Sequence, residues 1–195
     1  MRRDSTKDVR ERLLEAGVAT FRQRGFNGCS VQDITEAAGV PKGSFYNHFE
    51  SKEALGAAAL EHFWQNGADR LEILRDRGRS PRDRLRAYFE QAAADMAEID
   101  YTCGCLVGNL TAELSDHSTL ISAQLSAIYA SWTKRVADCI GEAQAAGEIS
   151  AAGDPETLAN FVLSAWEGAV LRARIEKTGH PLKQFVDILF SHLLR

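Results

Sequence analysis

Apolar residues recur every three to four positions along most of this chain, a spacing that is typical of amphipathic helices. Leu14, Val18 and Phe21 show it near the start. No alternating pattern longer than a few residues predicts a strand, so the expected fold class is all-α. The predicted helices cover 5–24, 30–38, 41–49, 51–77, 81–99, 105–115, 118–146, 154–177 and 181–194.

The chain has four prolines, and each marks a predicted junction between helices. Pro41, Pro81, Pro155 and Pro181 all follow a glycine by up to three residues and precede a helical pattern. Proline suits the first turn of a helix, where its missing N–H is not needed, and glycine suits the position just after a helix. The positions of proline and glycine therefore support a fold made of helices without sheets.

The polar residues between two of these helices indicate a helix-turn-helix. Residues 30–49 read SVQDITEAAGVPKGSFYNHF, two short helices joined by a tight turn at 38–40. Phe45 and Phe49 lie four residues apart and are expected to face inward. A plain corner between two helices has the same spacing. The types of the remaining residues favour DNA, because a helix that only packs would carry aliphatic side chains there.

The chemistry of this segment fits a helix that enters the major groove. Its N-terminal end should reach base edges, and hydroxyl, imidazole and ammonium groups should contact phosphates. The predicted DNA-binding residues are Ser30, Gln32, Lys42, Gly43, Ser44, Tyr46, Asn47, His48 and Lys52. Arg2 and Arg3 are further candidates for groove or phosphate contacts.

The stretch F-x-x-x-G-F-x-x-x-S-V-x-D-I-x-x-A-A-G-V-x-K-G-S-F-Y-x-H-F-x-S-K-E-A-L resembles the N-terminal domain of TetR-type repressors. The resemblance covers about the first 55 residues. It implies a homodimer that reads a palindromic operator, with a DNA-binding domain at 1–53 and an effector-binding and dimerisation domain at 54–195. By motif position, Lys42, Gly43 and Ser44 would face bases, whereas Tyr46, His48 and Lys52 would hold phosphates. The role of Asn47 stays open.

The formal charge fits this division of the chain. The whole chain carries 23 Lys and Arg against 27 Asp and Glu, a net of -4. Residues 1–53 hold nine cations against eight anions, a net of +1, which leaves 14 against 19 for residues 54–195. The acidity belongs to the second part, and the few cations of the first must be concentrated on one face to attract DNA.

Two cysteines open the predicted helix at 105–115, in the segment YTCGCLVGNL. A helix N-terminus lowers the pKa of a thiol and favours its reactive thiolate. The opposing interpretation is that Cys103 and Cys105 are small buried residues. This segment and the region near Trp166 resemble a TetR subgroup of electrophile-sensing repressors, including the N-ethylmaleimide-reductase repressor, and acrylate-type regulators. There Cys105 matches the sensing position, whereas Arg174 stands where a lysine can occur.

Other inward-facing polar or aromatic residues are candidates to line an effector pocket, although core or dimer packing would explain each of them as well. The resemblance also places the last two helices in a four-helix dimer interface. The predicted effector residues are Cys105, Phe63, Tyr88, Asn109, Tyr129, Trp132, Trp166 and Glu167. The predicted dimer stripe is Leu158, Phe161, Val162, Ala165, Ala169 and Leu171, with Phe185, Ile188, Leu189, His192 and Leu193.

Composition limits the classes of protein to which this chain can belong. No apolar run approaches ~18 residues, and the polar start lacks a secretory signal, so a cytoplasmic protein is expected. The four cysteines (Cys29, Cys103, Cys105 and Cys139) are expected to be reduced thiols. The five histidines are scattered, and neither a metal site nor a cofactor is predicted.

Two other classes of function are alternatives to a transcriptional regulator. One is a small helical enzyme with a cysteine nucleophile, but no hydrolase, metalloprotease or phosphate-loop motif is present. The carboxylate pairs Asp95/Glu98 and Glu113/Asp116 have helical spacing and are expected to be solvated. The other class is a helical adaptor that binds only protein, which would leave the polar residues at 42–52 without a purpose. A transcriptional regulator, and not an enzyme, is the prediction.

Overall fold

Helices make up the structure, and the described residues contain no strand. The computed structural model describes the backbone of residues 2–195 and the side chains from residue 9 onward. The predicted all-α class is confirmed. The α-helices are α1 (Arg2–Arg24), α2 (Val31–Ala37), α3 (Lys42–Phe45), α4 (Lys52–Asn66), α5 (Ala68–Glu72), α6 (Pro81–Glu98), α7 (Leu106–Leu114), α8 (Thr119–Ala145), α9 (Pro155–Glu176) and α10 (His180–Ile188).

The caps explain where several helices begin. The side chains of Ser80 and Asp154 accept a hydrogen bond from the backbone N–H three residues later, at the starts of α6 and α9. Pro81 and Pro155 follow them in the first turn, where no N–H is needed. The predicted link between prolines and helix starts is thus confirmed at these junctions.

The helix predicted over 51–77 is wrong in its extent, and the one predicted over 41–49 is shorter, covering only Lys42–Phe45. A single helix was expected over 51–77, but α4 ends at Asn66, Gly67 interrupts it, and the short α5 and a 3-10 turn at Ile73–Arg75 follow. Glycine costs about 1 kcal/mol relative to alanine inside a helix, and Gly67 offers no side-chain cap to α5. The C-terminal helix is also shorter than expected, because a wider π turn at Leu189–Leu193 follows α10.

Contacts divide the chain into two compact units. The first comprises residues up to Asn66 together with Cys105–Ala127, and so contains α1 to α4, α7 and the start of α8. Helix α7 packs on α1 and α4. The core of the first unit contains five fully buried side chains, those of Phe21, Ile34, Phe45, Leu55 and Leu110. A segment distant in sequence thus completes the first core, and the functional boundary after residue 53 stays a prediction.

The second unit comprises Gly67–Gly104 and Ile128–Arg195. Its core is aromatic: the ring centroid of Phe89 lies 5.4 Å from that of Trp166 and 5.1 Å from that of Phe185. Helix α10 packs on both α6 and α9. None of the helices described is long and apolar enough to cross a membrane.

Candidate nucleic-acid interface

The helix-turn-helix is built from two short helices, of which α2 has a side-chain cap and α3 follows a proline. Ser30 forms a capping box at the start of α2: its hydroxyl accepts from the N–H of Asp33 at 3.2 Å, and the Asp33 carboxylate accepts from the N–H of Ser30 at 2.7 Å. Gly39 takes a left-handed φ of +63° in the turn that follows, a conformation that side chains disfavour. Pro41, with extended backbone, then leads into α3.

Two aromatic side chains hold α3 to the rest of the first unit. Phe45 is completely buried and Phe49 nearly so, and their ring centroids lie 5.8 Å apart. The Arg10 guanidinium lies over the Phe49 ring. The predicted inward orientation of both rings is confirmed. This anchoring leaves the opposite edge of α3 for solvent.

That opposite edge carries most of the predicted DNA-binding residues. Lys42, Gly43, Tyr46 and Asn47 are exposed, and Ser44 is half-buried. Tyr46 is 59% exposed, which is high for so large an aromatic side chain. A Cβ atom added to Gly43 would meet no other atom within 4 Å. The edge is therefore polar and sterically open. His48, at the C-terminal end of this edge, is half-buried.

The two predicted contacts on the first helix of the motif already have partners. The Ser30 hydroxyl donates to Asp33 at 2.6 Å, and the Gln32 amide donates to Glu36 at 2.9 Å. Both side chains are exposed, so a phosphate would have to compete with these local hydrogen bonds. The side chains of Arg2 and Arg3 lie outside the described residues.

Lys52 has a different environment from the one predicted. Its ammonium donates to the carbonyl oxygens of Phe26 at 2.9 Å and Cys29 at 2.8 Å, and it lies 4.3 Å from the centroid of the Phe26 ring. These contacts tie the start of α4 to the loop between α1 and α2. Lys52 thus stabilises the fold of the motif, and its predicted phosphate contact would have to compete with these hydrogen bonds.

Arg12 is a residue of the motif that sequence reasoning missed. Its guanidinium Nη2 donates to the carbonyl oxygens of Ala38 at 2.5 Å and Gly39 at 2.9 Å. These carbonyls belong to the turn between α2 and α3, and their partner lies on α1. The contact fixes the position of the turn, and hence of the helix that follows it.

Helix α7 supplies a second set of missed contacts. The Glu113 carboxylate accepts from the backbone N–H groups of Phe26 at 2.9 Å and Asn27 at 2.7 Å. The Asn109 amide donates to the carbonyls of Phe21 at 3.2 Å and Arg22 at 3.1 Å. Glu113, expected to be solvated, instead holds the loop before α2. Its expected companion Asp116 is exposed.

The predicted effector residues of the first unit have mixed surroundings. Phe63 is half-buried beneath the Arg22 guanidinium, at 5.4 Å from the ring centroid. Cys105 is half-buried at the residue preceding α7, where its side chain makes no capping hydrogen bond. Asn109 supports α1, as described above, which gives it a structural role.

The predicted effector residues of the second unit lie mostly in its core. The Trp132 Nε1–H donates to the Tyr88 hydroxyl at 2.7 Å, and both residues are buried. Tyr129 stacks on Trp132 with ring centroids 6.3 Å apart. Trp166 is buried against Phe89, and Glu167 is half-buried.

The cysteines differ in accessibility. No disulfide occurs in the described part of the chain. Burial raises the pKa of Cys139 to about 11, and burial also raises the pKa of Cys29 above its ordinary value. Both thiols are therefore protonated at neutral pH and poorly reactive. Cys103 and Cys105 are each half-buried. No cluster of His, Cys, Asp or Glu in the described ranges could hold a metal ion.

An apolar groove runs along α9 and α10 in the second unit. It has a volume of about 590 Å³ and is lined by Phe161, Phe185 and Ile188, among others. Phe161 is 61% and Ile188 53% exposed. Every residue of the predicted dimer stripe lines this groove except Leu158 and Leu171.

Family models of known proteins match both parts of the chain. Residues 13–59 match bacterial regulatory proteins of the tetR family, and residues 81–189 match the Tetracyclin repressor-like C-terminal domain. The HTH-type transcriptional repressor DhaR of Mycobacterium sp. (strain GP1) is 43% identical over 95% of this chain and 92% of its own.

Solved structures are similar over nearly the whole chain. The regulatory protein TetR from Rhodobacter sphaeroides has a TM-score of 0.89 and 37% identity, covering 93% of this chain and 97% of that one. The reduced form of NemR from Escherichia coli has a TM-score of 0.80 and 32% identity, covering 93% and 96%. These matches confirm the predicted transcriptional regulator over an enzyme. The chain belongs to the TetR family of bacterial transcriptional regulators.

Proposed function

We propose that this protein is a repressor that binds a palindromic operator as a homodimer and leaves it when a small-molecule effector binds. The observation that carries the proposal is the exposed polar edge of α3, which is held by the buried rings of Phe45 and Phe49. Lys42, Gly43 and Ser44 stand at its N-terminal end, the part of a recognition helix that contacts base edges. Tyr46 and His48 are proposed to contact phosphates.

Dimerisation would use the groove on α9 and α10. Its apolar lining and exposed Phe161 are typical of a surface that a second copy covers. Two copies would present two recognition helices to successive major grooves, roughly 34–36 Å apart on straight DNA. DhaR is named a transcriptional repressor, which supports repression as the direction of control. We place the DNA-binding function in residues 1–53, the effector and dimer functions in 54–195, and the protein in the cytoplasm.

For the effector we propose chemistry at Cys105. This thiol is half-buried next to the N-terminus of α7, whereas Cys29 and Cys139 are buried and have raised pKa values. An electrophile that alkylates Cys105 would shift the protein toward a state that does not fit the operator, and the shift needs differential affinity between the two states. Arg174 cannot supply the deprotonated amine that a lysine offers, so the proposed step involves the thiol alone.

Fluorescence anisotropy with DNA from upstream of the protein's own gene tests the proposal. We expect tight binding that weakens steeply as salt rises, because phosphate contacts release counterions. Non-specific DNA of equal length should bind at least 10³-fold more weakly. An adaptor or an enzyme would bind both DNAs equally poorly. Alkylation with N-ethylmaleimide should release the wild-type protein from the operator.

A further inference from the structure

A small cavity in the second unit is lined mainly by arginines. It lies between the turn after α5, the start of α6 and the second half of α8, and has a volume of about 260 Å³. Four guanidinium groups line it against two carboxylates, an excess of two positive charges among its lining residues. The charged lining residues are Arg75, Arg77, Arg84, Arg135, Asp138 and Glu142.

The most buried of these arginines is held rigidly. Arg84 is 4% exposed, and its Nη1 and Nη2 atoms donate to the Leu74 carbonyl at 3.0 Å and to the Glu142 carboxylate at 2.6 Å. Its Nε–H, however, is buried and has no hydrogen-bond partner in the part of the chain that the structure describes. A buried donor without a partner carries a free-energy cost that an acceptor would remove.

A second arginine in the cavity is also incompletely satisfied. Among the described residues, the Nη1 atom of Arg135 is buried without a hydrogen-bond partner, and the Glu72 carboxylate lies 3.5 Å away. The same Glu72 oxygen lies 3.2 Å from Arg75, so one carboxylate serves two guanidinium groups.

The other charged residues that line the cavity do not neutralise its excess of positive charge. Asp138 is already paired with Lys134 at 2.9 Å. Arg77 forms no ion pair with any residue that the structure describes. Cys139 also lines the cavity, and its raised pKa keeps it a neutral thiol, so it adds no negative charge.

We propose that this cavity binds a small oxyanion, either inorganic phosphate or the phosphate group of a small monoester. The planar guanidinium fork matches the oxygens of such a group. The cavity is smaller than the ~300 Å³ typical of the smallest drug-sized pockets, which suits an anion of few atoms. A bound phosphate would join α6, α8 and the turn after α5 through charge-assisted hydrogen bonds.

Titration calorimetry of the full-length protein with inorganic phosphate, at an ionic strength fixed with chloride, tests the proposal. We expect one saturable site per chain. Arg77→Gln and Arg135→Gln should each weaken phosphate binding about tenfold or more, the usual effect of losing a hydrogen bond from a charged donor. Arg79→Gln is the matched control, because Arg79 lies in the same segment but pairs with Asp76 and does not line the cavity.

Equal phosphate affinity in wild type, Arg77→Gln and Arg135→Gln would overturn the proposal, and so would a lack of saturable binding. Arg77 is exposed and forms no ion pair with the described side chains, so its variant should fold even if Arg135→Gln does not. A parallel titration with glycerol phosphate separates the two sources: tighter binding than inorganic phosphate identifies a monoester, and weaker binding identifies the free ion. Operator binding is measured separately and does not depend on this result.

Discussion

The carboxylate of Glu113 occupies the space that a side chain on Gly25 would need: a Cβ atom there would lie 2.3 Å from Glu113 Oε1. Gly25 also has a left-handed φ of +80°. We expect Gly25→Ala to lower the free energy of unfolding by about 1 kcal/mol or more, since the conformation is strained and the carboxylate must move. Urea denaturation measures this change.

Gly43→Ala is the matched control for Gly25→Ala, because a Cβ atom at Gly43 meets nothing within 4 Å. Its stability should equal or slightly exceed that of wild type. Glu113→Ala alone should cost roughly 1–2 kcal/mol, because two backbone N–H groups lose a charged acceptor. Added to Gly25→Ala, it should cost less than the two single changes summed, since the clash is gone. Strict additivity would contradict this account of the loop.

Lys42 and Lys52 should respond differently to replacement by alanine. Lys42→Ala should weaken operator binding by about 1–3 kcal/mol and leave stability unchanged, because the side chain is exposed and contacts a base in the proposed complex. Lys52→Ala should lower stability instead, since it removes hydrogen bonds to Phe26 and Cys29. Anisotropy and urea denaturation separate the two effects. Lys134→Ala, on an exposed face of α8, is the control for a lost positive charge.

The cysteines should differ in reactivity toward thiol reagents. Cys139, with a pKa of about 11, is a thiolate in only about one molecule in a thousand at pH 8. Mass spectrometry after brief alkylation should therefore find label on Cys105 and none on Cys139 in the folded protein. Cys105→Ser should abolish release of the operator by N-ethylmaleimide, whereas Cys139→Ser should preserve it. Normal release of Cys105→Ser would exclude Cys105 as the sensor.

A charge in the groove on α9 and α10 should separate the dimer. We expect Phe161→Glu or Ile188→Glu to give a monomer, because moving a carboxylate from water into the mainly apolar proposed interface costs free energy. Ile175→Glu is the control: this residue of α9 is 82% exposed and does not line the groove. Sedimentation velocity measures the oligomeric state. A dimer in both groove variants would mean that another surface holds the copies together.

Acidification should weaken the cap of α2. Hydrogen bonds from the Ser30 side chain and backbone lower the pKa of Asp33. A lowered pKa contributes stability that is present above the ordinary value near 3.9 and is lost as the pH falls through the folded-state value. Asp33→Asn should therefore be less stable than wild type at pH 7, and the difference should shrink below about pH 4. Urea midpoints at pH 7 and below pH 4 test this, with Asp116→Asn, at an exposed position, as the control for replacing a carboxylate by an amide.

The sequence predicted the helix-turn-helix well because its determinants are local. Ser30 caps its own helix, Gly39 makes its own turn, and Phe45 and Phe49 lie one turn apart, so spacing alone identifies them. Glu113 escaped this reasoning, because it meets Phe26 and Asn27 across 87 and 86 residues of sequence. Nothing in its neighbourhood along the chain distinguishes it from a solvated carboxylate.

Lys52 makes contacts that its position in a family motif does not predict. Its position in the family motif predicts a phosphate contact, and the structure adds hydrogen bonds from its ammonium to two carbonyl oxygens of the loop after α1, which the motif does not reveal. The break at Gly67 was missed for a similar reason. The apolar pattern continues through Leu71 and Leu74, both buried, so periodicity alone gave no sign that the backbone hydrogen bonds are interrupted there.

The open space around Gly43 bears on how this regulator can acquire new targets. Most positions of a small domain cannot vary without a cost to folding, but a side chain added at Gly43 meets nothing inside the protein. In the proposed complex, that side chain would face the bases of the operator. Substitutions at this position should therefore change which operator sequence is preferred and leave the stability of the fold unchanged. Mutation of this one codon, in evolution or in a library screen, could then redirect the regulator to a new operator.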